Sequence, residues 1–255
     1  MVSDASALVV PRRFRGPATS GNGGFTAGSL ALALAPDVTR QPPVRVRLSA
    51  PPPLDTPLTL ARDGAALVAS AAGTVVASAT ALDDVEAHHA LDAVPAVPFG
   101  DALAAGERYP GLHDHPFPEC FACGTARSEG DGLRLRPGPV AGRDDGLVAA
   151  AWVPGESEVG FDGIVPVPLI WAALDCPGGW SVDVAGRPMV LGTMTAWVLA
   201  RPGFEERCVV TARVVELTDR KALTASSLYG AAGDLLAMAA HVWVAVDPAS
   251  FGAQS

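Results

Sequence analysis

Two histidines and two cysteines lie close together near the middle of the chain. His113, His115, Cys120 and Cys123 have the spacing H-x-H-x4-C-x2-C, with prolines in the segment between the two pairs. Imidazole and thiolate are the ligands that tetrahedral zinc prefers in proteins. The spacing is not a common zinc-finger pattern, so a zinc site is an alternative to a segment that holds no metal.

Two apolar stretches of helical character carry other groups that could do chemistry. The stretch FTAGSLALALA follows Asn22, Gly23 and Gly24, and backbone amides at the start of a helix can donate hydrogen bonds to an anion. The stretch GIVPVPLIWAALD ends at Asp175, whose carboxylate could accept a proton. Both features also have structural interpretations. Asn22 would cap its helix, and Asp175 would mark the end of the other helix before Pro177 and Gly178.

The elements around these residues occur in the same order twice. A Gly-rich approach and a helix precede strands at 44 to 50, 56 to 62 and 65 to 81, and a second helix precedes strands at 190 to 201, 207 to 217, 222 to 230 and 235 to 246. The segments GLRLRPG and GLVAAAWVPG predict a strand pair before the second helix. The order of a helix followed by an antiparallel meander occurs twice. This order indicates an α+β fold and argues against parallel βαβ units.

This repetition divides the chain into three parts. We predict an N-terminal unit at 1–82, a connector that contains the His/Cys segment at 83–131, and a C-terminal unit at 132–255. The connector is long for an ordinary loop, so it either spans between the units or forms a small site of its own.

The overall charge excludes several partners. With 27 acidic residues against 18 Lys and Arg, the formal net charge is −9, which is the wrong sign for gripping nucleic acid or an anionic membrane surface. No segment has the pattern of a signal peptide or a membrane span, and the four cysteines are too few for a disulfide scaffold. We therefore expect a cytoplasmic protein. Walker loops and Ser-centred hydrolase elbows are absent from the sequence.

The last predicted strand, LLAMAAHVWVAV, is apolar on both of its faces. Helices would cover one face, and the other face needs a different cover. We predict that a second copy of the chain supplies it, which makes a homo-oligomer, most simply a homodimer.

Taken together, these motifs resemble those of the double hotdog acyl-CoA thioesterases. The stretch GIVPVPLIWAALD at 163–175 is similar to the central-helix motif of small hotdog thioesterases, with Asp175 at the position of the carboxylate. SGNGGFTAGSLALAL at 20–34 is similar to the Asn-Gly-Gly form found in the first half of thioesterase II enzymes, and 193–246 resembles their second half. The resemblance implies two hotdog units whose sheets merge around two antiparallel helices.

The resemblance also implies one composite active site per chain. Asn22, Gly23 and Gly24 would bind the thioester, with Gly24 as the main oxyanion donor, and Asp175 would act as general base or, alternatively, as nucleophile. The matching positions differ between the halves, since Pro168 has no amide hydrogen to donate. In the family pattern, water-positioning groups fall at Thr193, or at Thr195 if the alignment slips by one, and at His241 in place of the family's glutamine. Trp171 would line the acyl tunnel.

Three alternatives stay open at this point. The His241 substitution is also compatible with an enoyl-thioester hydratase or dehydratase, and the loss of motif in one half is compatible with a noncatalytic acyl-thioester-binding protein. The Cys-rich segment resembles the lead-in to the first strand of many hotdog thioesterases. If the segment is such a lead-in, it needs no metal. We expect no cofactor, and coenzyme A enters only as part of the substrate.

Overall fold

A computed structural model describes residues 7–39, 41–182, 184 and 186–247. In this part of the chain there are four α-helices: α1 (Gly23–Leu34), α2 (Asp84–Ala90), α3 (Phe99–Gly106) and α4 (Val167–Trp180). The strands are β1 (Ala7–Leu8), β2 (Val44–Leu48), β3 (Leu58–Asp63), β4 (Ala66–Ala71), β5 (Thr74–Ala81), β6 (Gly138–Pro139), β7 (Val148–Trp152), β8 (Met189–Val198), β9 (Cys208–Leu217), β10 (Lys221–Tyr229) and β11 (Leu235–Ala245). None of the described helices is long and apolar enough to cross a membrane.

The described strands form one antiparallel sheet in the order β1-β3-β4-β5-β2-β8-β11-β10-β9-β7-β6. The N-terminal meander joins the C-terminal one where β2 pairs with β8, with Val44 opposite Ala196 and Arg47 opposite Thr193. The predicted α+β class, a helix and an antiparallel meander occurring twice, is confirmed.

The two long helices pack against each other on one face of this sheet. All fourteen residues of α4 are buried, and α1 is buried over most of its length. Their contact is close because glycines of α1 lie against α4: a Cβ on Gly28 would lie 2.7 Å from the Cβ of Trp171. The main hydrophobic core lies between these helices and the sheet.

The connector covers part of the opposite face of the sheet. A second, smaller core joins α3 to β7, β9 and β10, and it contains Val94, Ala102, Ala105, Val140, Leu147, Ala149, Val209 and Ala225. The backbone N–H of Val94 donates to Oγ of Ser227 at 2.9 Å, which ties the connector to β10. The following segment turns back to the helix side, where Cys120, Phe121 and Cys123 enter the main core.

Two sequence-based expectations about these elements are wrong. GLRLRPG at 132–138 is largely irregular, and only Gly138 and Pro139 pair with β7. Helix α4 does not end at Pro177 but continues to Trp180. The glycines after Pro177 serve close packing instead, since a Cβ on Gly178 would lie 2.8 Å from Nδ1 of His241 and one on Gly179 would lie 2.9 Å from the ring of Trp243.

Candidate active site

The beginning of α1 meets the middle of α4 through one hydrogen bond. The backbone N–H of Gly24 donates to Oδ2 of Asp175 at 2.8 Å. A side chain on Gly24 would prevent this approach, because its Cβ would lie 2.5 Å from the Cβ of Asp175 and 2.6 Å from the carbonyl oxygen of Trp171. The two candidate residues from opposite halves of the sequence are therefore in direct contact.

Asp175 is a buried carboxyl group with one oxygen unused. The residue is only 2% exposed, and its Oδ1 has no hydrogen-bond partner. Burial raises the pKa of Asp175 to about 7, and the hydrogen bond from Gly24 opposes that rise. A carboxylate with a free oxygen and a pKa near neutrality has the properties of a general base.

The N-terminus of α1 is capped by Asn22, whose Oδ1 accepts from the N–H of Phe25 at 2.8 Å. Gly24 N–H is occupied by Asp175, so this structure corrects its expected role as the main oxyanion donor. Within the described part of the chain, the N–H of Gly23 has no hydrogen-bond acceptor, and Gly23 lines the neighbouring cavity. The free donor at this helix terminus therefore belongs to Gly23.

The corresponding end of α4 lacks the Asn-Gly-Gly sequence and contains two prolines, neither of which has an N–H to donate. Its cap residue is Pro166, which makes no side-chain capping bond, and Pro168 lies in the first turn. The predicted asymmetry between the two helix termini is present in the structure, because only α1 offers amides beside a carboxylate.

A cavity of about 290 Å³ lies at the junction of α1, α4, β8 and the Cys-containing loop, which is the segment from His115 to Cys123. Its polar lining residues are Ser20, Asn22, Ser49, His115 and Asp175, and Gly23 lies beside them. Most of the remaining wall is apolar, and it includes Leu48, Pro51, Pro52, Phe117, Trp180, Val184, Met189, Leu191 and Trp243. A mainly apolar cavity with a few converging polar groups is the usual form of a small-molecule site.

His241 lies on the sheet side of α4 and does not line this cavity. Its Nδ1 is 3.2 Å from Oγ1 of Thr224, and the residue is 2% exposed. Burial lowers the pKa of His241 to about 4, which keeps the imidazole neutral near pH 7. Among the described residues, its ring nitrogen Nδ1 lies beside Thr224 and not beside Asp175. The expectation that His241 positions a water for Asp175 is corrected: the histidine fills the space between Gly178 and β10.

Thr193 lies on the other face of the sheet. Met194 is fully buried and lies opposite His241 in the β8–β11 pair, so its side chain is on the helix side of the sheet. Successive side chains of a strand point to opposite faces, so Thr193 points away from the helices. Thr195, the alternative position, lies on that same outer face, where its Oγ1 accepts from Nε of Arg45 at 3.3 Å. The expected role of Thr193 beside Asp175 is therefore also corrected. The register shift between Val242 and Trp243 separates this part of β8 from the part that lines the cavity.

Trp171 lies between the two helices rather than along the cavity. It is 1% exposed, and its ring lies against Gly28. The tryptophans that line the cavity are Trp180, one turn beyond the predicted end of α4, and Trp243. Neither is predictable as a lining residue from the sequence pattern, because Trp180 lies beyond Pro177 and Trp243 belongs to an apolar strand.

The Cys-containing loop contributes to the same cavity. Cys120 and Cys123 are buried beside Cys176 of α4, which follows Asp175 directly. His113, in contrast, is exposed, and both ring nitrogens of His115 lie beside backbone groups: Nδ1 accepts from the N–H of Phe117 at 3.0 Å, and Nε2 is 3.2 Å from the oxygen of Cys123. The predicted set of two histidines and two cysteines does not come together.

No protein-family model and no curated protein sequence matches this chain. Among solved structures, it is similar to a conserved protein of unknown function with a hot dog fold from Alicyclobacillus acidocaldarius, with 16% identity and a TM-score of 0.57 over 95% of this chain and 92% of that one. It is also similar to the tesB protein of Mycobacterium avium subs paratuberculosis, with 11% identity and a TM-score of 0.52 over 97% and 91%. These matches span both helix-and-sheet units, and they establish that this chain has the double hotdog fold.

Proposed function

We propose that the protein hydrolyses an acyl-CoA thioester at the cavity beside Asp175. The observation that carries this proposal is the junction of α1 and α4, where the unpartnered Oδ1 of Asp175 and the unused N–H of Gly23 belong to residues lining one cavity. A base and an oxyanion donor are the two groups that thioester hydrolysis requires.

In the proposed reaction, Asp175 takes a proton from a water molecule as the water oxygen attacks the thioester carbonyl carbon. The carbonyl oxygen becomes an oxyanion, which accepts a hydrogen bond from Gly23 N–H at the positive end of the α1 dipole. The tetrahedral intermediate then collapses, the C–S bond breaks, and the proton held by Asp175 passes to the leaving thiolate. The products are a free acid and coenzyme A.

The hydrogen bond from Gly24 gives Asp175 a fixed orientation in this scheme. It engages Oδ2 and leaves Oδ1 for the water, so the base is held by the backbone of the other half of the chain. A nucleophilic role, in which the carboxylate itself attacks the thioester, uses the same free oxygen and stays an alternative.

A noncatalytic acyl-thioester-binding protein is the second candidate. The observation that favours it is the placement of Thr193 and His241, neither of which lines the cavity to hold a water against Asp175. The hydratase alternative loses its main support for the same reason, because it relied on His241 acting together with an acid.

The deciding experiment measures release of free thiol from short, medium and long acyl-CoA thioesters by the wild type and by Asp175→Asn. The asparagine side chain keeps an oxygen that can accept from Gly24, so the fold should be maintained. We expect turnover to fall by about 10²-fold to 10⁴-fold, the usual contribution of a general base. Asp162→Asn is the matched control, since Asp162 is exposed and does not line the cavity.

Ligand affinity separates the two candidate functions. Calorimetric titration with a nonhydrolysable thioether analogue of an acyl-CoA should show binding by both the wild type and Asp175→Asn. If the wild type binds this analogue and releases no thiol from any member of the panel, hydrolysis is refuted and the binding function is supported. Enoyl-CoA hydration would then be assayed directly.

A further inference from the structure

Three thiols from two distant parts of the sequence converge at the cavity. The Sγ atoms of Cys120, Cys123 and Cys176 all lie within 4.8 Å of one another, and those of Cys120 and Cys176 are 3.6 Å apart. Zinc–sulfur bonds of about 2.3 Å in tetrahedral geometry place ligand sulfurs about 3.8 Å apart. The three thiols thus have nearly the spacing of three corners of a metal tetrahedron.

The backbone holds two of these thiols in a tight turn. The N–H of Gly124 donates to the carbonyl oxygen of Cys120 at 2.8 Å, and a Cβ on Gly124 would lie 2.5 Å from that same oxygen. The buried guanidinium of Arg127 braces the turn by donating to the carbonyl oxygens of Glu119 at 2.8 Å and Arg13 at 2.7 Å. Cys176 is fixed independently by α4.

Three hydrogen-bond contacts from side-chain N–H groups reach the sulfurs. Nδ2 of Asn22 lies 3.7 Å from Sγ of Cys120 and 3.9 Å from Sγ of Cys176, and Nε1 of Trp180 donates to Sγ of Cys123 at 3.4 Å. Hydrogen bonds from N–H groups to sulfur are typical of the outer shell of thiolate metal sites. No Lys or Arg side chain bonds to these sulfurs among the described interactions, so a bound cation would be the group that balances buried thiolates.

We propose that Cys120, Cys123 and Cys176 bind one divalent metal ion of the zinc type, with its fourth coordination position toward the cavity that all three cysteines line. This ligand set differs from the one that the H-x-H-x4-C-x2-C spacing predicts. The proposed set keeps Cys120 and Cys123. Cys176 of α4, 53 positions after Cys123, takes the place of the two histidines.

The test measures bound metal on protein without a histidine tag, purified under reducing conditions, loaded with Zn²⁺ and freed of excess ion. We expect about one zinc per chain in the wild type and fewer than about 0.2 in Cys176→Ser and Cys120→Ser. Cys208→Ser is the matched control, because Cys208 is also buried and free but lies outside the cluster. His113→Ala should also retain its zinc. Metal content is read without any thioester, so this result is independent of the proposed hydrolysis.

Co²⁺ loading supplies a spectroscopic readout of the ligands. Three thiolates should produce intense sulfur-to-cobalt charge-transfer absorption and the strong d–d bands of tetrahedral cobalt, in the wild type and in Cys208→Ser. Fewer than about 0.2 zinc per chain in the folded wild type would overturn the proposal. It would also be overturned by equal zinc content in wild type and both cluster variants, or by a disulfide between Cys120 and Cys176 that persists in the reduced, zinc-loaded protein.

Discussion

The N–H of Gly24 and Oδ2 of Asp175, 2.8 Å apart, join residues separated by 151 positions in the sequence. This bond links the N-terminus of α1 to the middle of α4, at a point where both helices are buried. It fixes the carboxylate relative to the helix terminus beside it. The proposed base and the proposed oxyanion donor therefore depend on the same helix contact.

The first prediction concerns the space that this contact needs. Gly24→Ala would place a Cβ 2.5 Å from the Cβ of Asp175, so the helices must separate and the free energy of unfolding should fall by roughly 1–3 kcal/mol. Urea denaturation measures this change. Gly100→Ala in α3 is the control, since nothing lies within 4 Å of its added Cβ, and it should be neutral or slightly stabilising. Equal stability of the two variants would contradict a tight contact at Gly24.

A second pair of variants tests the oxyanion donor. Gly23 is the first residue of α1, where proline is tolerated, and the preceding Asn22 has φ −59° and ψ 132°, which is compatible with a following proline. Gly23→Pro removes the N–H, and we expect kcat to fall by about 10²-fold to 10³-fold.

Gly23→Ala is the companion variant, because it keeps the N–H while adding similar bulk. Its Cβ would lie 3.0 Å from the Cβ and from one Cδ of Leu191, a tight contact that the proline variant would share. Steady-state kinetics should show a much smaller loss of kcat for the alanine variant than for the proline variant. If both lose activity equally, the effect is steric and Gly23 N–H is not the donor.

The buried imidazole of His241 predicts a pH-dependent contribution to stability. Its pKa is about 4 in the folded chain and about 6.5 when unfolded, so folding favours the neutral form. The contribution is fully present above about pH 6.5, decreases as the pH falls toward 4, and totals roughly 3 kcal/mol.

The measurement is the difference in unfolding free energy between the wild type and His241→Gln, followed from pH 7 to pH 4. Asp175, whose raised pKa acts in the opposite direction, is present in both proteins and cancels in the difference. We expect the wild type to lose stability relative to the variant as the pH decreases. A difference that stays constant across this range would show that His241 is not held neutral by burial.

The face of β8 and β11 that points away from α1 and α4 predicts that the protein forms a dimer. Trp197, Met238, Val242 and Val244 are only partly buried on the single chain, and a second copy of the chain would cover them. We expect a homodimer at micromolar concentration in light scattering, and Val242→Glu should shift it toward monomer. A monomeric mass for the wild type at that concentration would exclude this arrangement.

Much of the architecture is predictable from the sequence, because local patterns specify local elements. The strands from β2 to β5 and from β8 to β11 follow their apolar runs and turn residues, and the predicted end of β8 at 201 differs most from the observed end at Val198. The Asn-Gly-Gly entry predicts the capped start of α1, and Asp175 is predicted as the carboxylate of α4. Periodicity and capping depend on neighbours in the chain, so they can be read without the fold.

The tertiary structure alone decided which further groups join Gly23 and Asp175 at the cavity. In the sequence, Gly178 and Gly179 indicate the end of a helix. In the structure α4 continues through them, and their lack of side chains lets His241 and Trp243 of β11 pack closely against the helix. Side chains alternate across a strand, so the register of β8 placed Thr193 on the outer face, while helix packing turned His241 away from Asp175 and brought Cys176 to Cys120. Such relationships depend on contacts between distant segments, and spacing along the chain carries no information about them.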